Sequence, residues 1–385
     1  MSNRALRPFK LAVPESVLED LRRRLSRTRL PDEPPLEPWS TGTSVAYLKT
    51  LLDYWRKGFD WRAQESKLNA FRQLTVPLAG IDLHFIHEEG KGPKPMPLLL
   101  SHGWPGSVFE FYKVLPMLTD PARFGGDPDD AFTVIAPSLP GYVFSFRPGQ
   151  VRLGIEEIAK VFMELMVEVL GYSRFGAQGG DWGSSITSRL GFAFPECMIG
   201  LHLNLLWVRR DPKMIAGPTP EEKVFLDQLT ILLKEETGYQ WIQGTKPTTL
   251  AFALTDSPAG LAAWLVEKFR TWTDCEGDPE NALTRDEMLT NIMLYWVTGA
   301  IGSSFWPYYD RMRGPWLIPK DATIDVPTGY AEFPKEILRP PRSVAERMYT
   351  DIRRWTTMPK GGHFAALEQP EALVKDIRAF FRPLR

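Results

Sequence analysis

Gly179-Gly180-Asp181-Trp182-Gly183 follows a short apolar strand signal, Phe175 to Ala177, and precedes a helical pattern. A reactive side chain between small residues at a strand-to-helix turn has the form of a nucleophile elbow. Such a turn is so tight that flanking side chains would clash, and its central residue sits in a strained backbone conformation. Here the central residue is Asp, and no Gly-x-Ser-x-Gly occurs in the chain, which argues against a serine esterase. A carboxylate nucleophile suits attack at an sp3 carbon. It displaces a leaving group and forms an alkyl-enzyme ester, which water must then hydrolyse. The bland alternative is that Asp181 only caps the helix that follows.

His102-Gly103-Trp104-Pro105-Gly106 follows a second apolar strand, Pro97 to Leu100. In a hydrolase built around such an elbow, the loop after that strand supplies one backbone N–H of the oxyanion hole. The residue after the nucleophile supplies the other. These donors would be Trp104 and Trp182, and the charge they stabilise forms on the Asp181 carbonyl when water attacks the ester. Gly361-Gly362-His363-Phe364 lies between the last strand signal and the last helical pattern, where the base belongs in the chain order nucleophile, acid, base. His102 reads as a residue that shapes its loop, and His84, His87 and His202 read as structural.

With these motifs the chain resembles the microsomal and juvenile-hormone branch of the epoxide hydrolases and their soluble microbial relatives. The likeness covers nearly the whole chain. It includes the leader Arg7-Pro8-Phe9, Leu18, Leu21 and Leu25, and Arg29-Leu30-Pro31, and extends through Gly361 to Ala366. It implies an epoxide and water as substrates, a vicinal diol as product, and no cofactor or metal. It also implies that Glu336, in Phe333-Pro334-Lys335-Glu336-Ile337-Leu338, is the charge-relay acid; Asp310 and Glu332 compete, but neither sits in the matching motif. Two lid tyrosines are expected on the epoxide oxygen. They match Tyr239, in Gly238-Tyr239-Gln240-Trp241, and Tyr308, with Tyr309 one residue away. Phenols suit this task, because they can donate to a developing alkoxide at neutral pH without first losing their proton.

The family's Pro-Gly-Tyr-Gly-Phe-Ser loop is here Pro140-Gly141-Tyr142-Val143-Phe144-Ser145. A β-branched residue does not readily take φ > 0. The loop is therefore expected to bend differently and to alter pocket shape, not chemistry. Phe144 on this loop, with Trp241 and Phe305 among the lid aromatics, are the expected substrate contacts. The many lid aromatics favour a bulky apolar or aryl epoxide, in detoxification or natural-product biosynthesis; the plain alternative is that they pack lid on core. Membrane-bound family members carry an N-terminal anchor, and this chain begins at the leader.

Two rival functions remain. A haloalkane dehalogenase shares the fold, the Asp nucleophile and often the Trp after it, so Trp182 does not discriminate. The tyrosine pair does, since a departing halide needs no proton. An inactive binding protein on a hydrolase fold is the other rival, but such proteins usually lose a catalytic residue.

The elements that must position these residues read as an α/β-hydrolase fold: a mostly parallel sheet flanked by helices, with a helical lid and an N-terminal helical leader. Residues 1–70 form the leader, 71–206 the first part of the core, 207–315 the lid and 316–385 the second part of the core. Strands are expected at the Leu74 to Glu89 hairpin, Pro97 to Leu100, Phe132 to Ala136, Phe175 to Ala177, Thr323 to Val326 and Thr356 to Met358. Helices are expected at Ser44 to Lys57, Ile155 to Leu170 and Pro370 to Phe381.

Hydrophobic residues make up 43% of the 385, charged residues 24%, and net charge is -1. That balance gives no sign of nucleic-acid or membrane-surface binding. No run approaches the ~18 apolar residues of a membrane span, and the N-terminus lacks a signal-peptide core. Cys197 and Cys275 read as free thiols, which with the other features points to a cytoplasmic protein. The long leader and lid leave room for a homodimer.

Overall fold

Alternation along the strands sorts their side chains onto two faces. Leu98 and Leu100 pack into one hydrophobic cluster and Leu99 into the other; Val134 and Ala136 part from Ile135 in the same way. This is the period-2 consequence of an extended chain. In the computed structural model, which describes residues 4–385, the strands are β1 (Arg7–Pro8), β2 (Gln73–Leu78), β3 (Ile81–Glu88), β4 (Met96–Ser101), β5 (Phe132–Pro137), β6 (Phe175–Gly179), β7 (Met198–Leu203), β8 (Thr328–Glu332) and β9 (Ile352–Thr357). Among the described residues they form one sheet, in the order β1-β2-β3-β5-β4-β6-β7-β8-β9.

The strands from β5 to β9 in that order are parallel, and β1, β2 and β3 join one side in antiparallel register. Every residue of β5 is buried, as expected for a strand covered on both faces. The β2–β3 hairpin turns at Ala79 and Gly80, both at positive φ, which matches the right-handed twist of the flanking strands.

Because β4, β6, β8 and β9 run parallel, their carboxyl ends share one edge of the sheet. Ligand sites of open α/β sheets lie there. The loops after these strands carry Trp104, Asp181, Glu336 and His363.

Between β7 and β8 the chain leaves the sheet and runs through helices Pro220–Glu235, Gly238–Thr245, Pro247–Asp256, Pro258–Trp272, Arg285–Thr298 and Trp306–Arg311. Thr219 and Thr284 open two of these helices with capping boxes, so the local start signals agree with the fold. The leader helix Glu15–Ser26 buries Leu18, Leu21 and Leu25 and packs against helix Pro258–Trp272. Each buried leucine contributes roughly 1.5–3 kcal/mol of transfer free energy. Thr43 Oγ1 donates to the Ala263 carbonyl at 2.7 Å, and Tyr54 Oη donates to Asp286 at 2.7 Å. The leader therefore braces the lid.

Three expectations need correction. The strand expected at Thr323 to Val326 is only a bridge from Ile324 to Tyr349; the strand begins after Pro327, at Thr328. Pro327 cannot donate to the ladder, although its carbonyl already accepts the Leu201 N–H of β7 at 2.8 Å. The helix expected through Leu170 is α-helical to Glu164 and then widens into a π turn over Leu165–Val169. Val143 does take positive φ, 29°, despite its branched Cβ, so the loop keeps the bend that a glycine would allow. Cys197 and Cys275 are unpaired. Among the described residues no single helix is long and apolar enough to cross a membrane.

Candidate active site

Asp181 sits at φ 45°, in the left-handed region, as the first residue of helix Asp181–Ala193. The neighbouring glycines are a steric requirement. A Cβ on Gly183 would lie 1.9 Å from the Ser101 carbonyl oxygen, and one on Gly103 would lie 2.2 Å from Asp181 Oδ1. The β4 loop can thus approach the carboxylate closely enough for Trp104 N–H to donate to Asp181 Oδ1 at 2.7 Å. The Trp182 N–H lies in the first helical turn, where amides have no intrahelical acceptor.

His363 Nε2 lies 3.3 Å from Asp181 Oδ2, and its Nδ1 lies 2.6 Å from Glu336 Oε1. The same Glu336 oxygen accepts the Ile337 N–H at 2.7 Å. Burial would pull the imidazole down, but the Glu336 and Asp181 carboxylates outweigh it and hold His363 well above its usual 6.5. Of the competing acids, Glu332 accepts from Trp355 Nε1 and Thr357 Oγ1, and Asp310 lies against Gly154. Neither is within hydrogen-bonding distance of His363.

Tyr239 and Tyr308 are buried and line the same cleft as Asp181. Their rings are 5.6 Å apart, close to perpendicular. Trp104 stacks on Tyr239 at 5.2 Å, and Trp182 meets Tyr308 edge-on at 4.8 Å. Burial raises both phenols well above their usual 10, with the Asp181 charge adding to the shift, so both keep their protons through the neutral range. Tyr309 instead stacks on Trp306 beneath Arg313 and does not line the cleft.

The three expected substrate contacts are not where the sequence put them. Trp241 is 62% exposed. It lies two residues from Tyr239 on one helix, about 200° around the axis, so an inward Tyr239 turns it outward. Phe144 packs on Phe9 and His84, away from the cleft. Phe305 is buried behind Trp104, at 6.3 Å. The apolar wall of the cleft, about 900 Å³ in volume, is instead made by residues such as Trp207, Met214, Ile215, Trp316 and Met348.

The remaining histidines are held by the fold. His102 Nδ1 meets the Gly103 carbonyl at 3.1 Å and its Nε2 accepts the Leu139 N–H, while burial pushes it to about 4. His84 lies between Ser138 and Gln73, pushed by burial to about 3. His202 meets Asp376 and His87 meets Tyr172.

Sequence reasoning missed Glu110. Its carboxyl borders a water-sized cavity of about 20 Å³ shared with Asp181 and His363, and burial pushes it up to about 8. Nothing in the periodicity around Glu110 singles it out, but it follows the oxyanion motif by only a few residues, and that nearness could have flagged it.

The arrangement offers a carboxylate nucleophile, a relayed imidazole base, an amide donor already on the carboxylate and two protonated phenols facing the same space. Comparison with known proteins agrees in kind. The family model described as epoxide hydrolase N terminus matches residues 6–111, and the alpha/beta hydrolase fold matches 96–201. A protein of Stigmatella aurantiaca, provisionally named an epoxide hydrolase, is 45% identical over 98% of this chain and 85% of its own. Epoxide hydrolase 1 of Oryctolagus cuniculus is 38% identical over 99% of this chain and 89% of its own. The crystal structure of juvenile hormone epoxide hydrolase from Bombyx mori superposes with a TM-score of 0.87 at 33% identity, covering 100% of this chain and 95% of that one.

Proposed function

The chain belongs to the epoxide hydrolase family, and from that premise we propose that it opens an epoxide with water through an ester on Asp181. The Asp181 carboxylate attacks one ring carbon, and the C–O bond to the epoxide oxygen breaks. Tyr239 and Tyr308 hydrogen-bond that oxygen, and one phenol proton passes to the forming alkoxide. His363, oriented by Glu336, then takes a proton from water, whose oxygen attacks the Asp181 carbonyl carbon. The N–H groups of Trp104 and Trp182 stabilise the tetrahedral oxyanion. The ester C–O bond breaks, the imidazolium returns its proton to the departing alcohol, and the diol leaves. Asp181, left as a carboxylic acid, loses its proton to solvent, and the phenolate regains one from solvent.

One observation carries this reading. Asp181 lies between an amide donor at 2.7 Å and an imidazole at 3.3 Å, below two protonated phenols. Donors for an alkoxide favour ring opening over halide displacement. The large apolar wall of the cleft favours a bulky substrate.

A single turnover in heavy-oxygen water tests the route. The label is expected in Asp181, with the diol unlabelled. Label appearing directly in the diol would replace the ester route with direct attack by water.

A further inference from the structure

Resting on the reading of this cleft as an epoxide site, we propose that Arg209, Arg210 and Arg311 form an anion subsite, and that the substrate is an apolar-chain epoxide ending in a carboxylate. All three arginines line the cleft that holds Asp181. Among the described residues, none of the three forms an ion pair with a carboxylate. Arg209 donates only to the Ile318 carbonyl, at 3.4 Å, and Arg210 Nε is buried with no partner.

Their stacking explains how they are held, not why three like charges gather. The guanidiniums of Arg209 and Arg311 lie 5.3 and 4.2 Å from the ring centre of Trp316, and that of Arg210 lies 5.3 Å from Trp207. The two indoles stack on each other at 5.5 Å. Each cation–π contact is modestly favourable. Against it stand burial and mutual repulsion, which together lower Arg311 from its usual range. Asp310 offsets this in part. The other arginine of the cleft, Arg347, is already paired with Glu222. Apart from Asp181, the acidic side chain on the lining is Asp211, while Lys213 and Lys320 add positive charge where the lining is exposed. A cleft with this balance attracts anions.

The path between the two ends is apolar and continuous. Tyr308 meets Trp182 at 4.8 Å, Trp182 meets Trp207 at 5.5 Å, and Trp207 stacks on Trp316. These rings run from the nucleophile turn to the arginines. A ligand that matches has a reactive ring at one end, an alkyl or alkenyl chain along the indoles, and a planar anion at the other. Guanidinium forks match a carboxylate in bidentate geometry.

Epoxystearate and its methyl ester, below their micelle concentrations, differ only in that end group. On the wild-type protein at low salt, kcat/KM for the acid is expected to exceed that for the ester by about tenfold or more, the range of charge-assisted hydrogen bonds. Added salt should shrink the ratio, and so should Arg209→Gln combined with Arg311→Gln. An ester hydrolysed as well as the acid would overturn the subsite and leave the epoxide reading intact. So would turnover of styrene oxide with neither fatty substrate. No turnover of all three would overturn the epoxide reading itself.

Discussion

The Trp272 carbonyl, at the end of a lid helix, accepts the His363 backbone N–H at 2.8 Å. The two rings also meet edge-on at 5.0 Å. The lid therefore does more than cover the cleft: it fixes the height of the loop that carries the base. Gly362 makes this approach possible, since a Cβ there would lie 2.4 Å from the same carbonyl oxygen. Gly362→Ala is expected to push His363 from Asp181 and lower kcat by roughly 10–100-fold, the scale of a 1 Å misplacement. Alkylation does not need the base, so the variant should accumulate an ester on Asp181. Intact-protein mass spectrometry after mixing with substrate reads this directly; a wild-type kcat would mean the loop tolerates the shift.

The imidazole is raised by two carboxylates, and only one survives the first step. Ester formation removes the Asp181 charge, while Glu336 remains 2.6 Å from Nδ1. Ester hydrolysis needs neutral His363, so kcat should rise with pH along an acid limb. Its midpoint should lie below the value His363 has in the free protein. Glu336→Gln should move that midpoint to lower pH, because the charge favouring imidazolium is gone. It should also slow hydrolysis by ~10²–10⁴-fold, as loss of a relay carboxylate does elsewhere. An unmoved midpoint would show that another group governs the limb.

Much of this site was legible because its parts are short motifs on parallel strand ends. Asp181 and the Trp104 loop each follow an apolar run, His363 follows the last strand signal, and a parallel sheet brings such ends to one edge. What was not legible depends on direction and distance. Trp241 was misjudged because a helix turns residues two apart to opposite sides. Arg209 and Arg210 meet Arg311 only through the stacked Trp207 and Trp316, which are as far apart in sequence. Strand β8 is short and contains Gly329, so it carries little strand signal before packing decides it.

The two phenols share one oxygen, so losing both should cost more than losing either. Tyr239→Phe or Tyr308→Phe removes one donor and is expected to slow alkylation by ~10–100-fold, with the other phenol still in place. The double variant should lose ~10³-fold or more. Stopped-flow tryptophan fluorescence follows the step, since Trp104 and Trp182 contact the two rings. Both phenols are raised by burial, so the alkylation rate should show no alkaline fall below pH 10. Tyr309→Phe, outside the cleft, is expected to change alkylation little.

Glu110 places a third carboxyl beside Asp181 and His363. Burial raises it to about 8, and the Asp181 charge adds to this, while the His363 cation and a hydrogen bond from the Ser107 backbone oppose it. A carboxyl raised in the folded state binds its proton more tightly there than when unfolded. Stability is then full below the unfolded value of 4.5 and falls as pH rises towards about 8. Glu110→Gln keeps the shape of the protonated acid and removes this loss. The variant should match the wild type in Tm at pH 4.5 and exceed it at pH 8.5, by ~1 °C for each kcal/mol recovered in a chain of 385 residues. At neutral pH, where Gln resembles the group it replaces, kcat should change little. A Tm gain of the same size at both pH values would mean that packing, not the proton, sets the difference.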